Sequence, residues 1–215
     1  MKNYSYLIII ALISSLVLAG CAFLSKPCPP PELINGSFEE PVVSDSTTAG
    51  WQIYDSGYTG LGWIVEWVEG SGGSYDPAHL ELQNSSGFDI TPPDGNQYAE
   101  LDTDWDGLAG PLNDEASSVE IYQMINTCDR ASYQVTFYYL PRSGAPDNGL
   151  NVYWNGEKVF SVSNPTNTDW IEVISPALLG APGKTETELM FVETGTADSQ
   201  GMFLDDVSVE FNVTP

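Results

Sequence analysis

The stretch Ser132 to Leu140, SYQVTFYYL, places Tyr133, Val135, Phe137 and Tyr139 on one side of an extended chain and Gln134, Thr136 and Tyr138 on the other. Side chains of a strand alternate between faces, so this is the pattern of a strand with one side in a core. The same reading extends outward to Trp63–Glu69, His79–Gln83, Gln97–Asp102, Ser118–Ile125, Leu150–Trp154, Lys158–Val162, Trp170–Ser175, Thr187–Glu193 and Met202–Phe211. Asn155-Gly156, between NVYW and EKVFSV, marks a type I′ hairpin, because both central positions of that turn need positive φ. No stretch after Leu33 shows helical periodicity. Short strands at this spacing predict an all-β fold, an antiparallel β-sandwich over 32–215. Gly70–Pro77, Asn84–Asn96 and Trp105–Ala116 read as long loops, where ligands are usually met.

The chain has 215 residues, 30 Asp plus Glu against 6 Lys plus Arg, and a formal charge of −24. Binding to phosphate backbones needs clustered Lys and Arg, so no nucleic-acid role is expected. Cations, neutral glycans or basic partners remain. With 42% hydrophobic and 12% aromatic residues the chain can still build a core.

Residues 1–21 read as an export signal. Lys2 precedes the apolar run Leu7–Ala19, which is shorter than a membrane span. Leu18-Ala19-Gly20-Cys21 resembles a bacterial lipobox, which implies a diacylglycerol on the Cys21 thiol and a protein anchored on the cell envelope. Ala22 gives no Asp-type retention signal, so the outer membrane is expected in a diderm host. Residues 22–31, with Pro29-Pro30-Pro31, read as an extended tether reaching about 30 Å. With Cys21 lipidated, Cys28 and Cys128 remain as a pair that an oxidising compartment permits to bridge; two unpaired thiols are the alternative.

Leu33-Ile34-Asn35-Gly36-Ser37-Phe38-Glu39-Glu40-Pro41, Gly50-Trp51 and the closing Phe203-Leu204-Asp205-Asp206-Val207-Ser208-Val209 resemble the terminal strands of galactose-binding-like jelly rolls. Gly95–Asp102, Ile121-Tyr122-Gln123, Phe137–Arg142 and Val152–Gly156 are similar to the middle strands of bacterial surface members. This group includes many carbohydrate-binding modules and the domain of unknown function 642 proteins. The resemblance implies a non-catalytic binding module, often with a structural calcium ion joining the two chain ends.

Alternation in MFLDDVSVEF puts Asp205 among core residues, where a carboxylate needs a partner, either a metal or a backbone turn. The resemblance points to Glu39 as its companion ligand. A second calcium expectation comes from Asp102-Thr103-Asp104-Trp105-Asp106-Gly107, the first half of a D-x-D-x-D-G loop, although its twelfth position is Asn113. For sugar stacking and hydroxyl recognition the candidates are Trp105, Tyr138, Arg142 and Trp154, with Trp63, Trp67 and Tyr153 as further aromatic supply and core packing as the alternative for each. His79, the sole histidine, lacks a nucleophile elbow, and nothing selects a carboxylate pair, so no enzyme is expected. The sequence thus leads to a lipid-anchored, calcium-stabilised module binding a glycan or surface polymer. The alternative is a structural or adhesive protein binding another protein, with a glycoside-active enzyme third.

Overall fold

The computed structural model describes residues 28–44, 50–72, 76–106, 114–144 and 147–212. The lipidation site Cys21, the leader 1–21 and tether residues 22–27 lie outside the described residues. So do the side chains of Phe88, Asp104, Trp105, Asp106, Asp114 and Glu115, whose backbone is described.

Two antiparallel sheets face each other. The first runs β1 (Trp51–Asp55), β3 (His79–Asn84), β4 (Gln97–Glu100), β13 (Met202–Phe211), β7 (Ser132–Pro141) and β10 (Ile171–Ile174), with β11 (Leu178–Leu179) also pairing with β7. The second runs β2 (Ile64–Trp67), β6 (Asp114–Asn126), β12 (Glu186–Glu193), β8 (Gly149–Trp154) and β9 (Glu157–Ser163), with β5 (Asp102–Asp106) pairing with β6. The fold is the antiparallel β-sandwich that the alternation predicts. Among the described residues no helix is long and apolar enough to cross a membrane; the helix present is the single turn Ser85–Phe88, capped by Asn84.

The alternation of β7 appears as burial: Tyr133, Val135, Phe137 and Tyr139 enter the core while Gln134, Thr136 and Tyr138 stay half-buried. They meet Ile121, Val152, Leu189 and Phe191 from the second sheet. Phe137 and Phe191 pack edge to face with centroids 5.2 Å apart, and Phe38 stacks on Trp63 at 5.6 Å. Each such buried ring contributes about 2–3 kcal/mol through lost apolar surface. The β8–β9 turn has Asn155 at φ 52° and Gly156 at φ 76°, the positive pair expected from Asn-Gly.

Three stretches differ from the sequence reading. Residues 102–106 are a strand, not part of a loop: Asp102 pairs with Ser118 and Asp106 with Asp114, which starts β6 four residues early. Asp disfavours strands intrinsically, but pairing with β6 overrides that preference. Trp51–Asp55 is an edge strand on β3, and its half-buried side chains blur the alternation. Leu33–Pro41 forms bends, with Asn35 and Phe38 at φ 53°; it docks through Val207 N–H to the Gly36 carbonyl (2.9 Å) instead of entering a sheet ladder.

Cys28 and Cys128 form a disulfide with Cα atoms 5.8 Å apart. The end of the proline-rich tether is thereby fixed to the β6–β7 turn, where Cys128 N–H donates to the Tyr133 hydroxyl at 2.8 Å.

Candidate functional site

The outward faces of β3 and β4 are buried although they belong to an outer sheet surface. Register places Glu81 beside Glu100, Glu100 beside Phe203 and Phe203 beside Leu140, a row crossing four strands. Tyr98, Leu140 and Phe203 make a second small core here, topped by Ile90 and Trp170. Trp170 Nε1–H donates to the Thr91 carbonyl at 3.0 Å, so the loops 85–96 and 164–170 close over the face together.

Beneath them lies a charged network. Glu100, with no exposed surface, accepts Arg142 Nη1–H at 2.9 Å on both oxygens and Gly201 N–H at 2.9 Å. Gln83 Nε2–H donates to Glu81 at 2.8 Å and also to Glu100. Burial first, then the Glu81 charge, push the Glu100 carboxyl well above the usual range, while Arg142 opposes the rise. The Tyr98 phenol is pushed up by burial and by Glu100. Arg142 is 26% exposed and borders a cleft of about 460 Å³ with Ile90, Leu140, Ser143, Thr166 and Asn167. The cleft offers an apolar floor, hydroxyl and amide groups, and one guanidinium, a set suited to a polyhydroxylated ligand.

The other expected ligand residues fall elsewhere. Tyr138 stands on the outward face of β7 between Glu172 and Asp205. Trp154, expected at the ligand, is 4% exposed, donates Nε1–H to the Leu179 carbonyl at 2.7 Å and packs on Tyr133, so its ring belongs to the core. Trp63 is also core, Trp67 packs edge-on against His79, and Tyr153 is half-buried on β8. The backbone puts Trp105 on β5; its side chain lies outside the described residues.

The two chain ends do meet. Glu39 accepts Asn96 and Gln97 N–H at 2.7 Å each, and Asp205 accepts Asp94 N–H at 3.1 Å, so both carboxylates hold one loop. Gly95 allows this approach: it sits at φ 62°, and a Cβ there would collide with the Glu39 carboxyl. Asp205 has no exposed surface, and its Oδ1 is buried without a partner. Asp102–Asp106 is extended, so Asp102, Asp104 and Asp106 are spaced along β5 by about 7 Å per pair and this backbone does not curl as a calcium loop does. Asp102 instead accepts Asp198 N–H at 2.7 Å. Among the described residues no three His, Cys, Asp or Glu side chains gather as a metal-holding group.

Glu81, Glu100, Glu193 and Asp198 escape the sequence reading. In HLELQN and QYAE the acids alternate with apolar residues, which signals a solvated face, but the covering loops bury it. Burial leads in pushing Asp102 up to about 6, Glu193 to about 7 and Asp205 to about 8, against backbone N–H bonds that favour the charged forms. A carboxyl that holds its proton more tightly folded than unfolded stabilises the fold below about pH 4, and that contribution fades as pH rises through 6 to 8. In chelator, the melting temperature should therefore rise by roughly 5 °C or more from pH 8 to pH 5, at about 1.4 kcal/mol per tenfold change in proton affinity. A scan that is flat or falls toward pH 5 would contradict this account.

The two sheets, their shared core and the loop-covered outer face define an antiparallel β-sandwich. No family model matches the chain, and no curated protein matches it. Among solved structures it is similar to the Stig cyclase Fisc from Fischerella sp. TAU, at 13% identity over 84% of this chain and 96% of that one, with a TM-score of 0.54. It is also similar to a cleaved adhesin domain of Lys-gingipain from Porphyromonas gingivalis, at 16% identity over 85% and 97% with a TM-score of 0.38. A third is the EclA C-terminal domain, a sugar-binding protein, at 12% identity over 58% and 86%, TM-score 0.38. The first of these likenesses shows the sandwich fold, and it shows the fold alone.

Proposed function

We propose that this chain is a non-catalytic, lipid-anchored module of the bacterial cell envelope that binds carbohydrate, of the galactose-binding-like group that includes the domain of unknown function 642 proteins. The observation that carries the reading is the cleft beside Arg142, where Ser143, Thr166 and Asn167 surround an apolar floor of Ile90 and Leu140. Its wall is rigid because Arg142 is held by Glu100 and by the Ser199 carbonyl at 2.6 Å. His79 is buried, which removes the sole histidine from substrate contact and supports a binding role. Calcium enters at the chain ends: Asp205 Oδ1 is an orphaned buried oxygen, and Glu39 holds the same loop, so these two residues would take the ion.

A glycan array probed with the detergent-solubilised full chain, in calcium and again in chelator, tests the reading. Binding is expected in calcium and should fall at least about tenfold in Asn167→Ala, the cost of one lost buried polar contact. No glycan bound while circular dichroism shows intact β structure would sink it. Cys21→Ser should leave the membrane fraction; continued retention there would contradict the anchor. The adhesive reading draws on one feature, the edge strand β10, whose Ile171 and Ile174 are exposed. An array without hits and a captured envelope protein that Ile174→Lys releases would favour it.

A further inference from the structure

The loop 194–201 connects β12 to β13, and buried carboxylates hold its amides. Glu193 Oε1 accepts the N–H groups of Gly149 and Gly195 at 3.1 Å each, and its Oε2 accepts Met202 N–H at 2.9 Å. Asp102 Oδ2 accepts Asp198 N–H, and Asp102 also takes the backbone N–H of Ser199 and Gln200. Glu100 takes Gly201 N–H. Once these bonds are made, Asp102 Oδ1, Asp198 Oδ1 and Ser118 Oγ are still buried with no hydrogen-bond partner.

Asp102 and Ser118 are directly opposed on β5 and β6, so both side chains project from the same face, and Asp198 is tied to Asp102 through its own N–H. Ser118, 2% exposed, borders a cavity of about 580 Å³ together with Glu193, Gly195 and Thr196. Arg142, the basic side chain that reaches this loop, is engaged with Glu100 and the Ser199 carbonyl. Two buried carboxyl oxygens and a buried hydroxyl with open lone pairs, gathered where one loop meets β5 and β6, lack a positive centre.

We propose that Asp102, Asp198 and Ser118 hold a hard divalent cation, calcium by class, which locks the 194–201 loop onto the end of β5–β6. The donor set is all oxygen, with no sulfur or imidazole, which favours calcium over zinc. Water and backbone oxygens complete its six to eight ligands, as is usual where two carboxylates bind. The site shares the calcium expectation of the proposed function but stands on other residues: Asp102 finds a partner 96 positions along the chain, at Asp198.

The test is hydrogen exchange on the full chain in detergent, stripped by chelator and then given calcium chloride. In wild type, calcium should slow exchange of the 195–202 amides by at least about tenfold, because an ion bound to the closed loop suppresses its local opening. Asp198→Asn and Ser118→Ala keep the bonds of Asp102 to the loop amides; both should hold exchange at its chelator rate in 195–202 while the sheets stay protected. Asp205→Asn should lose calcium protection at 94–97 and keep it at 195–202, which separates this site from the one at the chain ends. Calcium-independent exchange of the loop in wild type, or full calcium protection in both Asp198→Asn and Ser118→Ala, would overturn the assignment.

Discussion

Replacing Arg142 with methionine is expected to lower the unfolding free energy by about 3–5 kcal/mol at pH 8, the usual cost of stripping the partner from a buried charge. Glu100 has no exposed surface, and Arg142 Nη1 lies 2.9 Å from both of its oxygens. The remaining donors are the Gly201 amide and Gln83, which is shared with Glu81. Without the guanidinium two carboxylates would face each other in a dry site. The sign of the pH effect follows. Glu100 is already pushed well above the usual carboxylate range by burial and by Glu81, and losing Arg142 pushes it further. At pH 5 the variant therefore binds a proton in place of the arginine and loses less stability than at pH 8. Glu100→Gln in the Arg142→Met background should restore most of the loss at pH 8, since it removes the charge and keeps the shape. Urea unfolding at the two pH values checks this. Equal costs at pH 5 and pH 8, or a loss below about 1 kcal/mol at pH 8, would show that the arginine does not neutralise Glu100.

That network also marks where the sequence stops being informative. The strands of the core announce themselves, because period-2 alternation in SYQVTFYYL and the Asn155-Gly156 turn are local properties of the chain. Glu81 and Glu100 obey the same alternation, and it assigns them correctly to the outward face. What no local pattern contains is that the loops 85–96 and 164–170, joined by Trp170 and Thr91, lie over that face and turn a solvated row into a buried one. Asp102 to Asp106 fails for a related reason. Its acids suggest a loop, and only the pairing with 114–118 makes it a strand. Trp154 shows the converse: an aromatic beside a hairpin turn offers a stacking face, but its indole N–H bonds inward to Leu179. Asp205 is buried, as its alternation with apolar neighbours suggests, but not on the face that alternation implies: β13 shifts register between Asp205 and Ser208, so Phe203 and Asp205 lie on the outer, loop-covered face while Val207 and Val209 enter the core between the sheets. Its actual hydrogen-bond partner, the Asp94 amide, lies 111 positions away. Part of the chain's acidity thus serves an internal purpose. Glu39, Glu100, Asp102, Glu193 and Asp205 all accept N–H groups from loops between strands.

The second large effect concerns the bridge. A Cys28→Ser/Cys128→Ser double variant should lose about 4–5 kcal/mol of stability, since the disulfide closes a loop with a sequence separation of 100 and restricts the unfolded chain accordingly. The native contacts argue that the loss is real and not offset locally. Residues 28–43 carry no strand, and side-chain and backbone hydrogen bonds hold them: Gly36 to Val207, Ile34 to Gln123 in both directions at 3.0 and 2.6 Å, Glu39 to the 96–97 amides, Asn35 to Leu61 and Trp63, and the Gln97 side chain to Phe38, Pro41 and Val43. With the bridge cut, this segment can peel away from β13 and expose Phe38, which is otherwise stacked against Trp63. Two observables separate the unfolded-state contribution from damage to the native fold. The denaturant slope should increase, because an unbridged chain exposes more surface on unfolding. Chymotrypsin should cut the variant after Phe38, which is buried in the native fold, and release the segment that ends there, whereas the same cut in the bridged protein leaves residues 28–38 attached through Cys128. An unchanged midpoint and slope in the double variant would mean that the sandwich holds its N-terminal segment without the bridge. In that case the cysteine pair would act on the tether alone, fixing how far the domain stands from its anchor and leaving the stability of the fold to the core.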